Sequence, residues 1–82
     1  MNDKKTRPIY KIAKEISKDW GNKVNYAAKP YLLAMMQCND IDDNYGMDTA
    51  KQMVVYFLGN AQTWRGENAR RIKIELNNLL KK

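Results

Sequence analysis

The chain has 82 residues, 44% of them hydrophobic and 29% charged, which is the composition of one small globular domain and excludes a disordered segment. It holds no histidine and one cysteine, Cys38, which excludes Ser-His-Asp and Cys-His nucleophile systems, an internal disulfide and the common zinc spacings. Fifteen Lys+Arg against nine Asp+Glu leave a net charge of +6, which either favours nucleic acid, an anionic membrane or an acidic protein as partner, or serves solubility alone.

Residues 1–6 are polar and charged, and read as a frayed arm. Apolar residues then fall at Ile9, Ile12, Ala13, Ile16 and Trp20, the rhythm of a helix buried on one face. Thr6 is a suitable cap, Pro8 is tolerated in a first turn, and Gly21 suits a left-handed end. Residues 22–29 read as a connector or an irregular approach to the next helix. Pro30 heads the run Tyr31-Leu32-Leu33-Ala34-Met35-Met36-Gln37, which is apolar almost all round and predicts the central helix of the core. Tyr26-Ala27-Ala28 leave open an extra turn before a proline kink.

Residues 39–46 are a loop by composition. Asp40, Asp42 and Asn44 occupy the first, third and fifth places of a calcium loop, but Tyr45 stands where that loop needs glycine and Lys51 where it needs glutamate. A solvated loop is the expectation, with no metal and no cofactor. Asp48 is the predicted N-cap of a third helix patterned on Ala50, Met53, Val54, Phe57, Leu58, Ala61 and Trp64. The rival reading, a buried strand over Met53–Leu58, lacks a partner strand. Gly66 breaks the chain, and Glu67 to Leu80 make a fourth helix on Ala69, Ile72, Leu76, Leu79 and Leu80, with Glu67 at its positive end and Lys81 and Lys82 at its negative end. The sum is an all-α bundle of about four helices in a single domain, residues 1–82. The longest apolar runs, Tyr31–Met36 and Met53–Leu58, are six residues each and far short of the roughly 20 that span a bilayer. No membrane partner is expected, and one thiol makes the cytoplasm the simplest location.

Few residues carry chemistry. Asp42 and Asp43 are adjacent without any feature forcing them into one pocket, and no phosphate-cradling glycine loop exists, so the expectation is that the chain is not an enzyme. Cys38 reads as a buried structural cysteine, and Trp20 and Trp64 as packing residues. Tyr10 lies off the apolar stripe beside Lys11 and Lys14 and is expected to be exposed.

The fourth helix holds the sharpest anomaly. At about 100° per residue, Arg70, Arg71, Lys73, Asn77, Asn78 and Lys81 cover the side away from the apolar stripe, and Ile74 projects from among them. An isolated exposed isoleucine needs no function, and one packed under the N-terminal arm would need none either. An apolar centre with a polar rim is also the form of a contact anchor. Arginine and asparagine can read base edges, but the long acidic loop before helix three departs from a helix-turn-helix.

The segments Pro30-Tyr31-Leu32, Ala34-Met35, Tyr45-Gly46-Met47-Asp48, Val55–Ala61 and Trp64–Lys73 resemble a group of short, uncharacterised proteins of prophages and integrative elements of Gram-positive bacteria. The resemblance covers roughly residues 8–80 and is most specific over 60–73. It implies a mobile-element setting in a bacterial host cell, where small proteins often act by stoichiometric binding, and it carries no active-site residue. Many defence inhibitors are acidic nucleic-acid mimics, a style from which this basic chain departs.

Three functions follow as expectations. The first is a non-enzymatic accessory protein that inhibits or modulates a host or defence-system macromolecule, most simply a protein, through Arg65, Arg70, Arg71, Lys73, Ile74, Asn77 and Lys81. The second is DNA or RNA binding by the same helix, with Lys4, Lys5, Lys11 and Lys14 on phosphates. A homodimer through the apolar surface of helices two and three is the third.

Overall fold

The first helix, α1, runs from Ile9 to Trp20 and buries the five residues of its apolar stripe. In the computed structural model, which describes residues 7–81, Pro8 occupies its N-cap rather than its first turn. Thr6, the expected cap, lies outside the described residues, as do Lys4 and Lys5. The first free N–H groups of α1 find backbone partners elsewhere: Ile9 N–H donates to Asn39 O and Tyr10 N–H to Cys38 O, both at 2.9 Å. Helix starts must satisfy such donors, and here the segment leaving the next helix does it. Gly21 ends α1 at φ 61°, a left-handed conformation that suits glycine.

A 3-10 turn over Gly21–Lys23 and a hydrogen-bonded turn built on Asn25 lead to α2, Lys29–Met35. The Asn25 side chain accepts from Ala27 N–H at 3.0 Å and donates to Asn60 O at 3.3 Å. Pro30 sits in the first turn of α2, so it begins the helix and bends nothing. The expectation of a central core helix is corrected. With seven residues, about 10 Å, α2 buries Leu32, Ala34 and Met35 while Leu33 stands 51% exposed. It is a short side of the bundle.

Asp43 organises the loop that follows. Its carboxylate accepts from Asn39 N–H at 2.8 Å and Asp40 N–H at 3.0 Å. The chain then makes a two-residue hairpin, β1 (Asn44–Tyr45) against β2 (Asp48–Thr49), turning at Gly46 with φ 63°. Helix α3, Ala50–Gly59, starts from a capping box: Gln52 N–H donates to Thr49 Oγ1 at 3.2 Å, and Thr49 N–H to Gln52 Oε1 at 3.0 Å. Asp48, the expected cap, belongs to β2 instead. The expected run of this helix to Trp64 is also corrected. It stops at Gly59, and Ala61 and Trp64 reach the core from turns. Helix α4, Glu67–Leu80, keeps its expected bounds and follows Gly66 at φ 119°.

The chain is thus an all-α bundle with one minute hairpin. Its helices close a ring, α1 on α2, α2 on α3, α3 on α4 and α4 on α1. The molecule measures 35 × 30 × 19 Å, and its thinnest direction is about two helix diameters, so every helix keeps an outward face. Trp20 and Trp64 stack at 5.7 Å with Phe57 edge-on to both, at the centre of one continuous core. No helix among the described residues is long and apolar enough to cross a membrane.

Candidate interaction surface

Helix α4 packs on α1 antiparallel, as three pairings along their junction require. Arg7, just before α1, grips Glu75 bidentately, with Nε at 2.9 Å from Oε2 and Nη2 at 2.7 Å from Oε1. Its Nη1 also reaches Glu15 at 2.7 Å, and Arg71 pairs with the other oxygen of Glu15. One helical turn on, Asp19 accepts from Trp64 Nε1–H at 2.9 Å and from Asn68 at 3.0 Å. Hydrogen bonds from Arg7, then Arg71, hold the Glu15 carboxyl below its ordinary range, and those from Asn68, then Trp64, do the same for Asp19.

This seam decides which of the expected contact residues face solvent. Ile74 is 56% exposed, and Arg70, Asn77, Asn78 and Lys81 around it are exposed too. Arg71 is exposed but shares its charge with Glu15. Asn77, exposed, donates back to Lys73 O at 2.8 Å. Arg65 lies outside α4, exposed in the link that precedes it.

Lys73 leaves the set. Its ammonium turns inward, donating to Ala61 O at 2.8 Å and Trp64 O at 2.7 Å, and lies 5.7 Å from the centre of the Trp64 ring. Burial, then the nearby charge of Arg65, pushes its pKa down. It closes the turns that α3 leaves behind, a structural task invisible in a helical wheel.

The remaining basic residues of α1, Lys11, Lys14 and Lys18, share one exposed face at helical spacing. Glu15 and Asp19 stand between that face and α4, so a seam of mixed charge, with Arg7 and Arg71 paired to Glu15 and Glu75, separates the two basic rows. Tyr10, expected to be exposed, is half-buried, with Lys14 Nζ 5.7 Å from its ring centre.

Cys38 is buried and donates to Ala34 O at 3.3 Å; burial, then Asp43, pushes its thiol pKa up, which keeps it protonated at neutral pH. The Asp43 carboxylate is spent on backbone N–H groups, and no three metal-ligating side chains gather among the described residues. The acidic members of the seam, Glu15, Asp19 and Glu75, escaped the sequence reading. Glu15 and Asp19 carried a signal, since they sit four apart beside the apolar stripe of α1. Comparison of the chain with family models, with curated proteins and with solved structures finds no match in any of the three.

Proposed function

We propose that this chain is a non-enzymatic binding protein that acts by stoichiometric capture of an acidic protein surface through the outer face of α4. The observation that carries the reading is Ile74, 56% exposed in mid-helix and ringed by Arg70, Asn77, Asn78 and Lys81. An apolar anchor inside a polar, cationic rim is the form that contact hot spots take. The contact set becomes Arg65, Arg70, Ile74, Asn77 and Lys81, with Arg71 engaged only if it leaves Glu15. The resemblance to short prophage and integrative-element proteins supplies the setting, the cytoplasm of a bacterial host. The partner class is then a host or defence-system protein that the chain inhibits or modulates.

The nucleic-acid reading draws on the exposed cations of α1 and α4, but Glu15, Asp19 and Glu75 interrupt any phosphate track laid across them. One paired experiment separates the two. Wild type and the Ile74→Asp/Arg70→Ala variant are immobilised and exposed to host extract, and both are titrated with labelled DNA and RNA at low and near-physiological salt. The variant keeps the wild-type helical signal and loses the captured protein. Retention of every partner by the folded variant removes α4 from the proposal. Binding of nucleic acid that weakens steeply with salt replaces protein capture altogether.

A further inference from the structure

Helix α3 is built differently from its neighbours. From Gln52 to Trp64 the chain has thirteen residues without a charge, in a protein that is 29% charged. The buried stripe of α3 is Ala50, Met53, Val54 and Phe57. On the opposite side a second stripe, Gln52, Val55, Tyr56 and Gly59, repeats the same i, i+3, i+4, i+7 spacing towards solvent. Val55 is 46% exposed and Tyr56 43%, and Tyr31 of α2 extends this surface, its ring 5.3 Å from that of Tyr56. Lys51, in the first turn, is the one charge of α3 and stands at the edge of this stripe, so a helix that is almost uncharged is covered on one side only.

Gly59 ends this stripe. It is the last residue of α3, where a weak helix former suits the stop, and its φ is not positive. A Cβ there would meet nothing within 4 Å, so the stripe ends in an open notch.

We infer that this face binds a second copy of the same chain, α3 against α3 and antiparallel, about a two-fold axis between Val55 and Tyr56. That axis places Gln52 of each copy opposite Gly59 of the other, a long side chain over a missing one, and Val55 opposite Tyr56. An isologous contact requires a surface complementary to itself. At a net charge of +6 the copies repel, and the outer faces of α1 and α4 would meet themselves lysine to lysine and arginine to arginine. The α3 face carries one cation at its edge, Lys51, which this axis sets opposite Asn60 and not opposite its own copy, and it holds the Lys11, Lys14 and Lys18 row of α1 on the far side of the ring. A single lysine gives a phosphate backbone or an anionic bilayer little to grip. Because α3 is only about 15 Å long, the contact is small and the dimer weak. The inference is independent of what α4 binds.

Sedimentation equilibrium of the full chain, from low micromolar to about 1 mM, tests it. The expected result is a rise from the 9.6 kDa monomer mass towards twice that value. Val55→Glu and Gly59→Lys should each weaken association about tenfold or more. Gly59→Lys should do so with equal or greater thermal stability, because lysine favours the helix and has room there. Ile74→Asp should associate as wild type does. A wild type that stays monomeric throughout overturns the inference. So does a Gly59→Lys variant that pairs as tightly as wild type, or an Ile74→Asp variant that no longer pairs.

Discussion

The junction of α1 with α4 and the junction of α2 with α3 lie on opposite sides of the ring and are closed by opposite chemistry. Along the first, Arg7, Glu15, Arg71, Glu75 and Asp19 form directional, charged contacts between residues up to 68 positions apart. Along the second, the rings of Tyr31 and Tyr56 lean together, and no ion pair forms among the described residues. Charged pairs of this kind add little net stability but strongly disfavour a slipped register, because a displaced carboxylate loses both its partner and its hydrogen bonds. Apolar contact stabilises more and specifies less. The polar junction therefore sets how α4 lies on α1, while the neutral side leaves α3 with surface to offer.

Trp64 is where the two sides meet, and its removal should have the largest effect. It stacks on Trp20, touches Phe57, donates to Asp19 and lies under Lys73. Trp64→Ala should cost about 3–5 kcal/mol in urea unfolding, enough to bring a domain of this size near its stability limit. A loss under about 1 kcal/mol would mean that the two sides are stabilised separately. Lys73→Ala comes next, at about 1–2 kcal/mol, because two carbonyls lose a charged donor. If that variant instead keeps its stability and loses partner binding, Lys73 belongs to the contact surface after all.

Acid should distinguish the two junctions with the smallest effect. Glu15 and Asp19 titrate lower in the folded chain than in the unfolded one. Their contribution is complete above the usual carboxylate range and fades as pH falls through it towards the folded values, because the unfolded chain takes up protons first. Unfolding followed across about pH 5 to 2.5 should show this loss, and Arg7→Ala should flatten it while costing about 0.5–1 kcal/mol at neutral pH, less at high salt. An unchanged pH slope in Arg7→Ala would show that the Arg7 cluster is not what lowers Glu15.

Much of the fold was legible because it is local. The stripes of α1 and α4, the stop at Gly21 and the start after Gly66 depend on neighbours within one turn, which the sequence displays directly. The errors around α3 have a common cause. Ala61 and Trp64 continue the helical spacing past Gly59, and burial alone cannot reveal that two apolar residues arrive from a turn. Thr49 and Gln52 did carry the capping-box signature, three residues apart, and Asp48 drew the cap one position too early. The exposed Ile74 was readable from the wheel, but the inward turn of Lys73 was not, since its acceptors lie nine and twelve residues away in an irregular link.

By itself, the sequence determined the helical class, the end of α1, the extent of α4, most of the residues that are buried and the placement of Ile74 on a basic face. Each of these follows from periodicity and short-range backbone chemistry. Only the tertiary structure decided that Arg7 closes on Glu75, that Asp19 holds Trp64, that a seam of mixed charge separates the basic rows and that α3 keeps an almost uncharged face outward. Those outcomes depend on which side chains the packed core brings within 3 Å of one another, and distance along the chain carries no record of it.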